Sequence, residues 1–250
     1  MDKKSGSRAA GRRGSKVAAL PSRRPAVPPS RFVDLSHTIE HGMVTYPGLP
    51  GPLICDYLSR EASRHHYAPG VEFQIGKIEM VANTGTYLDS PFHRYQDGKD
   101  LAQLPLESLA DLDAVVVRVP ARLRRAISPE VFQDLQLEGK AVLVQTGWDR
   151  HWRTDSYLTG HPYLTGDSAQ FLLNAGVALV GIDSLNIDDT DDAARPVHSI
   201  LLDGDIPIVE HLCKLARLPT SGFRFFALPP KVSGFGSWPV RAFARVLSPG

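Results

Sequence analysis

The stretch Asn83-Thr84-Gly85-Thr86-Tyr87-Leu88-Asp89-Ser90-Pro91-Phe92-His93 brings an amide, several hydroxyls, a phenol, a carboxylate and an imidazole into one short segment. Gly85 lets the backbone turn or approach a ligand closely, and Ser90, standing before proline, is biased to extended geometry. An apolar, strand-like run from Ile78 to Ala82 leads into it. A strand that ends in a polar loop is a common way to mount a site on a rigid scaffold. The plain alternative is a turn whose polar groups satisfy one another.

Other polar groups end apolar runs in the same manner. Asp183 follows Val177–Ile182, and Glu210 follows Ile206–Val209. His198 sits in a short helical segment that Pro196 opens and Gly204 stops. Carboxylates with imidazoles make up the ligand set of a hydrolytic divalent-metal centre. Such a metal polarises a carbonyl and lowers the pKa of water to about 7, while a histidine outside the ligand set moves the proton. Taken singly, His198 and Glu210 are more often satisfied structural residues.

The elements that must position these groups read as strands alternating with helices. Ala114–Val119 and Val142–Val144 are continuous apolar runs of buried-strand character. Helices are expected over Leu106–Asp111, from Ser128-Pro129-Glu130 onward, and over Asp167–Ala175 with Gly176 as its stop. Residues 71–82 read as a strand with a bulge at Gly76-Lys77. Phe32–His37, Phe223–Leu228 and Val240–Val246 complete the strand set. Several strands are neighbours in sequence, so the expectation is a single α/β domain with a mixed β-sheet and covering helices. Trp148, Trp152 and Tyr46 are candidates for an aromatic wall.

The remaining titratable groups carry plainer expectations. His37 and His41 are weak candidates beside a Pro/Gly loop. His65-His66 reads as an exposed pair that could replace missing ligands, and His151 and His161 as packing residues. His211 should face away from Glu210 if the segment is extended. The acidic run Asp188, Asp189, Asp191 and Asp192 reads as a solvated loop.

The chain has 250 residues, 42% hydrophobic and 22% charged, enough for one domain with a full core. No apolar run approaches membrane-helix length. The net charge of +1 conceals an asymmetry: in residues 1–30, eight basic residues against Asp2 give +7, which leaves −6 for residues 31–250. The head is rich in Gly, Ser, Ala and Pro and is expected to be a disordered basic tail, solvated rather than bound to nucleic acid or membrane. The folded domain should span 31–250. Two cysteines, Cys55 and Cys213, make no disulfide framework, fit a reducing cytoplasm and should both be buried.

These residues resemble the cyclase family of metal-dependent hydrolases, the group of kynurenine formamidase and isatin hydrolase. The resemblance runs from Asp34-Leu35-Ser36-His37 and Tyr46-Pro47-Gly48 to about residue 228, with Thr146-Gly147-Trp148 and Gly181-Ile182-Asp183-Ser184 inside it. The family hallmark is His-x-Gly-Thr-His-x-Asp-x-Pro-x-His, where this chain has Asn83-x-Gly85-Thr86-Tyr87-x-Asp89-x-Pro91-x-His93. The resemblance implies a cyclase-type, swivelling β/β/α-like fold, dimers or tetramers, and a small aryl formamide, amide, ester or lactone as substrate.

It also implies site residues. In the family both hallmark histidines before the aspartate are metal ligands and the aspartate bridges two metals. Here Asn83 and Tyr87 stand in those two places. An amide oxygen is a weak ligand, and a phenol with a pKa of about 10 binds only as a costly phenolate. The first metal site should therefore be lost or weakened. The second keeps Asp89, His198 and Glu210 around one Zn²⁺ or Mn²⁺, His93 matches the family's acid/base, and Tyr87 and Asn83 become donors near the substrate. Two other readings stay open: a metal-free acid/base or binding site, and a degenerate member acting as a scaffold.

Overall fold

Apolar β-branched runs bury both faces of a strand only when the sheet is covered on both sides. That condition organises this chain. In a computed structural model, which describes residues 31–119 and 125–246, the chain order is β1 (Arg31–Asp34), β2 (Leu53–Leu58), α1 (Arg60–Ser63), β3 (Ile75–Glu79), β4 (Tyr87–Asp89), β5 (Leu112–Arg118), β6 (Ala126–Ile127), β7 (Ala141–Gln145) and β8 (Tyr163–Leu164). There follow α2 (Gly166–Asn174), β9 (Leu179–Ile182), α3 (Pro196–Asp203), β10 (Ile208–Glu210), β11 (Phe223–Phe226), β12 (Ser237–Pro239) and β13 (Phe243–Val246).

Nine strands form one mixed sheet in the order β1-β13-β11-β5-β7-β9-β10-β4-β12. The centre, β5 through β10, is parallel, and its flanks are antiparallel. Alternation along the central strands splits the core into two layers. Val115, Val117, Val142, Val144, Val180 and Ile182 pack with residues of α2 and α3. Ala114, Val116, Leu143 and Leu179 pack against Leu35, Leu212 and Phe225. The mixed-sheet α/β expectation holds. Its covering helices are few: α2 and α3, nine and eight residues long, lie on one face.

Several local expectations change. The polar stretch is not a loop after a strand, because Tyr87–Asp89 is itself a strand of the sheet. Residues 71–82 supply only β3, which pairs with β2 alone and is exposed throughout. The irregularity in that hairpin falls between Asp56 and Leu58, not at Gly76. The segments at Leu106 and Pro129 stop after single 3₁₀ turns, and Ser128 bonds the Glu130 carboxylate rather than a helix backbone. Of the cysteines, Cys213 is buried but Cys55 is exposed. The expected tail, 1–30, lies outside the described residues. Among the described residues no helix is long and apolar enough to cross a membrane.

Candidate metal centre

Three adjacent strands set the site by their register. Glu210 of β10 stands opposite Tyr87 of β4, which stands opposite Pro239 of β12; Ile208, Asp89 and Ser237 form the next row. Alternate residues share a face, and directly opposed residues have Cβ atoms about 5 Å apart. Tyr87, Asp89, Glu210 and Ser237 are therefore neighbours, and all are buried. The 3₁₀ turn Pro91–His93 then carries His93 to the edge of the cluster. A Cβ on Gly236 would lie 2.4 Å from the His93 backbone nitrogen, so β12 approaches this turn only because residue 236 is glycine.

His198 comes from the first turn of α3. The loop before it delivers Asp188, whose Oδ1 accepts from Val197 N at 2.7 Å and whose Oδ2 accepts from His198 N at 2.9 Å. The same Oδ2 lies 2.6 Å from His198 Nδ1. A carboxylate there fixes the Nδ1–H tautomer and turns the lone pair of Nε2 inward. Nε2 stands 3.6 Å from Asp89 Oδ2 and 3.7 Å from Glu210 Oε1. Both gaps exceed an N–H···O hydrogen bond. Asp89 Oδ2 is buried and has no hydrogen-bond partner.

Three carboxylates, Asp89, Asp188 and Glu210, face one imidazole. Burial alone would depress the His198 pKa, but Asp188, Asp89 and Glu210 outweigh it and raise the value to about 10. The same burial pushes Glu210 upward, against the pull of His198. A divalent ion fits the geometry: ligand atoms roughly 2.1 Å from zinc at tetrahedral angles lie about 3.4 Å apart. His198 Nε2 lies near that spacing from one oxygen of each carboxylate. The three side chains whose ligand atoms all lie within 4.8 Å of one another are Asp89, His93 and His198, without Glu210, so His93 borders the same space.

Ser237 ties His93 to Asp89. Its hydroxyl donates to Asp89 Oδ1 and lies 2.8 Å from His93 Nδ1. The single serine proton goes to the carboxylate, which only accepts, so His93 Nδ1–H donates to the serine oxygen. That leaves His93 Nε2 as a proton acceptor on a side chain 36% exposed toward the cavity.

Tyr87 reaches across the sheet to Glu210. Its hydroxyl donates to Glu210 Oε2. Burial, then the Glu210 charge, holds the phenol well above its ordinary range, so it stays neutral. Tyr46 OH lies 2.9 Å from Tyr87 OH, donates to Leu185 O at 2.7 Å, and receives Asn186 Nδ2 at 3.2 Å. His211 Nε2 approaches Tyr46 OH at 3.2 Å, with Tyr157 OH 2.8 Å from its Nδ1. His211 therefore does not face away from Glu210: its φ of 55° breaks the extended run and turns it into this network. Burial keeps its imidazole neutral.

A cavity of about 350 Å³ opens over the cluster, lined by Tyr46, Asn83, Tyr87, His93, Asn186 and His198 together with Leu49, Arg94 and Arg195. Among the described residues the Asn83 amide makes no side-chain hydrogen bond. Trp148 and Trp152 do not line this cavity. Trp152 borders a separate one and stacks on His37 at 3.9 Å, and Trp148 donates to Tyr157 O. Asp183 stays away from the cluster and binds the Thr146-Gly147 turn. His41 accepts from Ile54 N, and His65 and His66 are exposed. Buried His161 packs near the Asp188 carbonyl.

Two residues of the site were not anticipated. Asp188 reads in sequence as one acid of a solvated run, and only its place ten residues before His198 hints otherwise. Ser237 lies in a three-residue strand containing proline, which carries no periodic signal.

Fold and site together define a mixed-sheet α/β protein with a carboxylate–imidazole cluster at the end of its sheet. The family model described as "Putative cyclase" matches residues 33–189, and the chain belongs to that family. It is 29% identical over 224 residues to the kynurenine formamidase of Bacillus cereus, covering 87% of this chain and 99% of the relative. It is 30% identical to the kynurenine formamidase of Bacillus cytotoxicus over the same shares. Among solved structures, isatin hydrolase A from Labrenzia aggregata bound to benzyl benzoate superposes with a TM-score of 0.76 at 21% identity, covering 88% of this chain and 94% of the other. A potential metal-dependent hydrolase with cyclase activity gives a TM-score of 0.70 at 24% identity, covering 88% and 100%.

Proposed function

We propose that this protein is a metal-dependent hydrolase of a small aryl amide, with an aryl formamide as its model substrate. Asp89, His198 and Glu210 would hold one divalent ion, Zn²⁺ or Mn²⁺. The observation that carries this reading is Asp89 Oδ2, buried without a partner and facing His198 Nε2. The kynurenine formamidase relatives support the amide as the bond cleaved.

When bound, the ion supplies Lewis acidity toward the carbonyl and lowers the pKa of water to about 7. The chain's own residues do the rest. His93 Nε2 takes the proton from water as its oxygen bonds to the carbonyl carbon, and delivers it to the nitrogen as the C–N bond breaks. An aryl amine and a carboxylic acid leave, the acid losing its proton to solvent. Asn83 Nδ2 donates to the carbonyl oxygen as charge develops there. Tyr87, whose proton goes to Glu210, holds that carboxylate in place.

A metal-free reading has one observation in its favour: an imidazolium at His198 would itself supply a positive charge among the three carboxylates. The gaps of 3.6 and 3.7 Å favour the ion, because they are too long for direct N–H···O bonds.

The test is elemental analysis of purified protein with hydrolysis of N-formylkynurenine and formanilide. We expect one equivalent of metal, activity lost in chelator, and recovery with Zn²⁺ or Mn²⁺. Full activity without metal would overturn the metal assignment, and no amide hydrolysis in metal-loaded protein would overturn the reaction.

The hairpin β2–β3 supports a homo-oligomer, with a second copy of the chain as its partner. Leu53, Ile54, Tyr57, Tyr67, Val71, Phe73, Ile75 and Ile78 are 37–77% exposed on and around it. Their exposed area is on the order of 800 Å², one partner's share of a standard interface. A lone two-stranded hairpin is marginal in water. Cytoplasmic residence rests on the two unpaired cysteines.

A further inference from the structure

Beneath the cavity lie three buried carboxylates, Asp89, Glu210 and Asp188. Its mouth has the opposite sign. Arg94 and Arg195 both line it, and among the described residues neither forms an ion pair with a carboxylate. Arg195 Nη1 donates to Asp189 O at 2.9 Å and Nη2 to Thr190 O at 3.3 Å. Arg94 Nε donates to Ser199 Oγ at 3.3 Å. Carbonyls and a hydroxyl orient these guanidinium groups without neutralising them, and N–H donors remain unused on both. Of the acids just before Arg195, Asp189 directs its carboxylate at Arg125, 3.4 Å away, and Asp192 Oδ1 accepts from Ala194 N at 2.9 Å.

Two positive groups oriented by neutral partners beside a small cavity are a means of holding an anion. We propose that Arg94 and Arg195 form an anion subsite, and that the preferred substrate is an aryl amide carrying a carboxylate. This rests on the hydrolase reading above and narrows it. The anchoring differs between the two. Arg195 is held by two backbone carbonyls just before α3, whereas exposed Arg94 has one hydroxyl contact and its guanidinium carbon over the Tyr95 ring, 5.1 Å from the centroid. Arg195 thus provides the fixed side of the subsite and Arg94 the side that closes onto the anion. Neither reaches the reacting atoms by this assignment, so the effect belongs in KM rather than kcat.

The test compares formanilide with 2-formamidobenzoate, which differs by one carboxylate, in metal-loaded protein. The carboxylated substrate should have a KM at least about tenfold lower, since charge-assisted bonds are roughly twice as strong as neutral ones. The advantage should shrink with added salt. Arg94→Met should remove most of it, read as the ratio of the two KM values. Arg195→Met should do the same, and Arg195→Lys guards against a fold effect near α3. Calorimetric titration with benzoate gives a second readout that needs no turnover: binding to the parent and weaker binding to Arg94→Met supports the subsite. Equal KM for the two substrates, or a ratio that survives both Met substitutions, overturns the subsite and leaves the hydrolase reading intact. Benzoate binding that depends on the arginines, with neither amide hydrolysed, sinks the hydrolase reading and keeps the subsite. No benzoate binding to the parent overturns the subsite.

Discussion

Asp188 Oδ2 lies 2.6 Å from His198 Nδ1 and also accepts the backbone N–H of the same residue. One carboxylate therefore sets both the start of α3 and the tautomer of its histidine. Asp188→Asn replaces an acceptor with a group that also donates, and it removes the charge that favours Nδ1–H. Outer partners of metal-binding histidines are worth about 10–100-fold in metal affinity. We expect Asp188→Asn to weaken Zn²⁺ or Mn²⁺ binding by about that factor, read by competition with a chromophoric chelator. Unchanged affinity would mean that His198 is not a ligand.

His93 separates the ligand role from the proton-transfer role. It lies in the same cluster as Asp89 and His198, but Ser237 engages its Nδ1 and it is the most exposed of the three. His93→Gln should retain about one equivalent of metal and lose about 10²–10⁴-fold in kcat, the usual share of a general acid/base. Elemental analysis beside steady-state kinetics decides. Metal lost along with activity would move His93 into the ligand set in place of Glu210.

The nonpolar hairpin makes a prediction about assembly. Phe73 and Ile78 are 54% and 56% exposed on it. Phe73→Asp with Ile78→Asp should convert an oligomer to monomer in size-exclusion chromatography with light scattering. Circular dichroism is part of the measurement, and an unchanged spectrum separates loss of assembly from loss of fold. A parent that is already monomeric would remove the second copy as the occupant of this surface.

Much of this architecture is legible in the chain. Val115–Val117 and Val142–Val144 are apolar on every residue, and only a covered parallel sheet tolerates that. The helix containing His198 is framed by Pro196 and Gly204, and Asp89 and Glu210 each end a strand while His198 lies in the first turn of α3. What escapes is set by tertiary pairing. β4 and β12 have three residues each and no period, and they are strands because they pair with each other and β4 pairs with β10. Residues 71–82 alternate well enough to suggest a long strand, yet β3 has only β2 beside it and buries no face. Asp188 and Ser237 are chosen by contacts spanning ten and 148 residues, which no local pattern encodes.

Acid should destabilise the protein through its neutral histidines. His37 stacks on Trp152, and burial, then nearby Lys214, lowers its pKa from 6.5 to about 4. In the unfolded chain it binds a proton near 6.5, so between 6.5 and about 4 the unfolded state holds more protons and stability rises with pH. The contribution is present above 6.5 and is lost as pH falls toward 4. Asp183 acts in the opposite sense, because burial raises its pKa to about 6 and its protonation favours the folded state. His198 adds slope only at the upper end of this window, where the unfolded imidazole with its pKa of 6.5 is partly deprotonated and the folded one, raised to about 10, is not. His37→Gln cannot titrate and leaves Asp183 untouched. The difference in Tm between parent and variant should therefore shift against the parent as pH falls from 6.5 to 4. A difference that does not change with pH would show that His37 is not held neutral.

The last prediction concerns the two hallmark positions. Tyr87 donates to Glu210 Oε2, and Asn83 lines the same cavity without a side-chain partner. An imidazole at each position would offer the lone pairs that a neutral phenol and an amide do not. Both residues line the cavity beside Asp89, where a second ion would have to bind. We expect Asn83→His combined with Tyr87→His to raise bound metal from about one to about two equivalents per chain, because imidazole is a far better ligand than either group it replaces. Losing Tyr87 also takes a hydrogen bond from buried Glu210, which costs about 1–3 kcal/mol if nothing replaces it. Apo variant protein should therefore melt below the parent, and metal should restore the difference by binding the folded state alone. Elemental analysis with melting curves in chelator and in Zn²⁺ reads both effects. A ratio that stays at one, with no gain in Tm from metal beyond the parent's, would mean that the cluster around Glu210 has closed over the space the second ion requires.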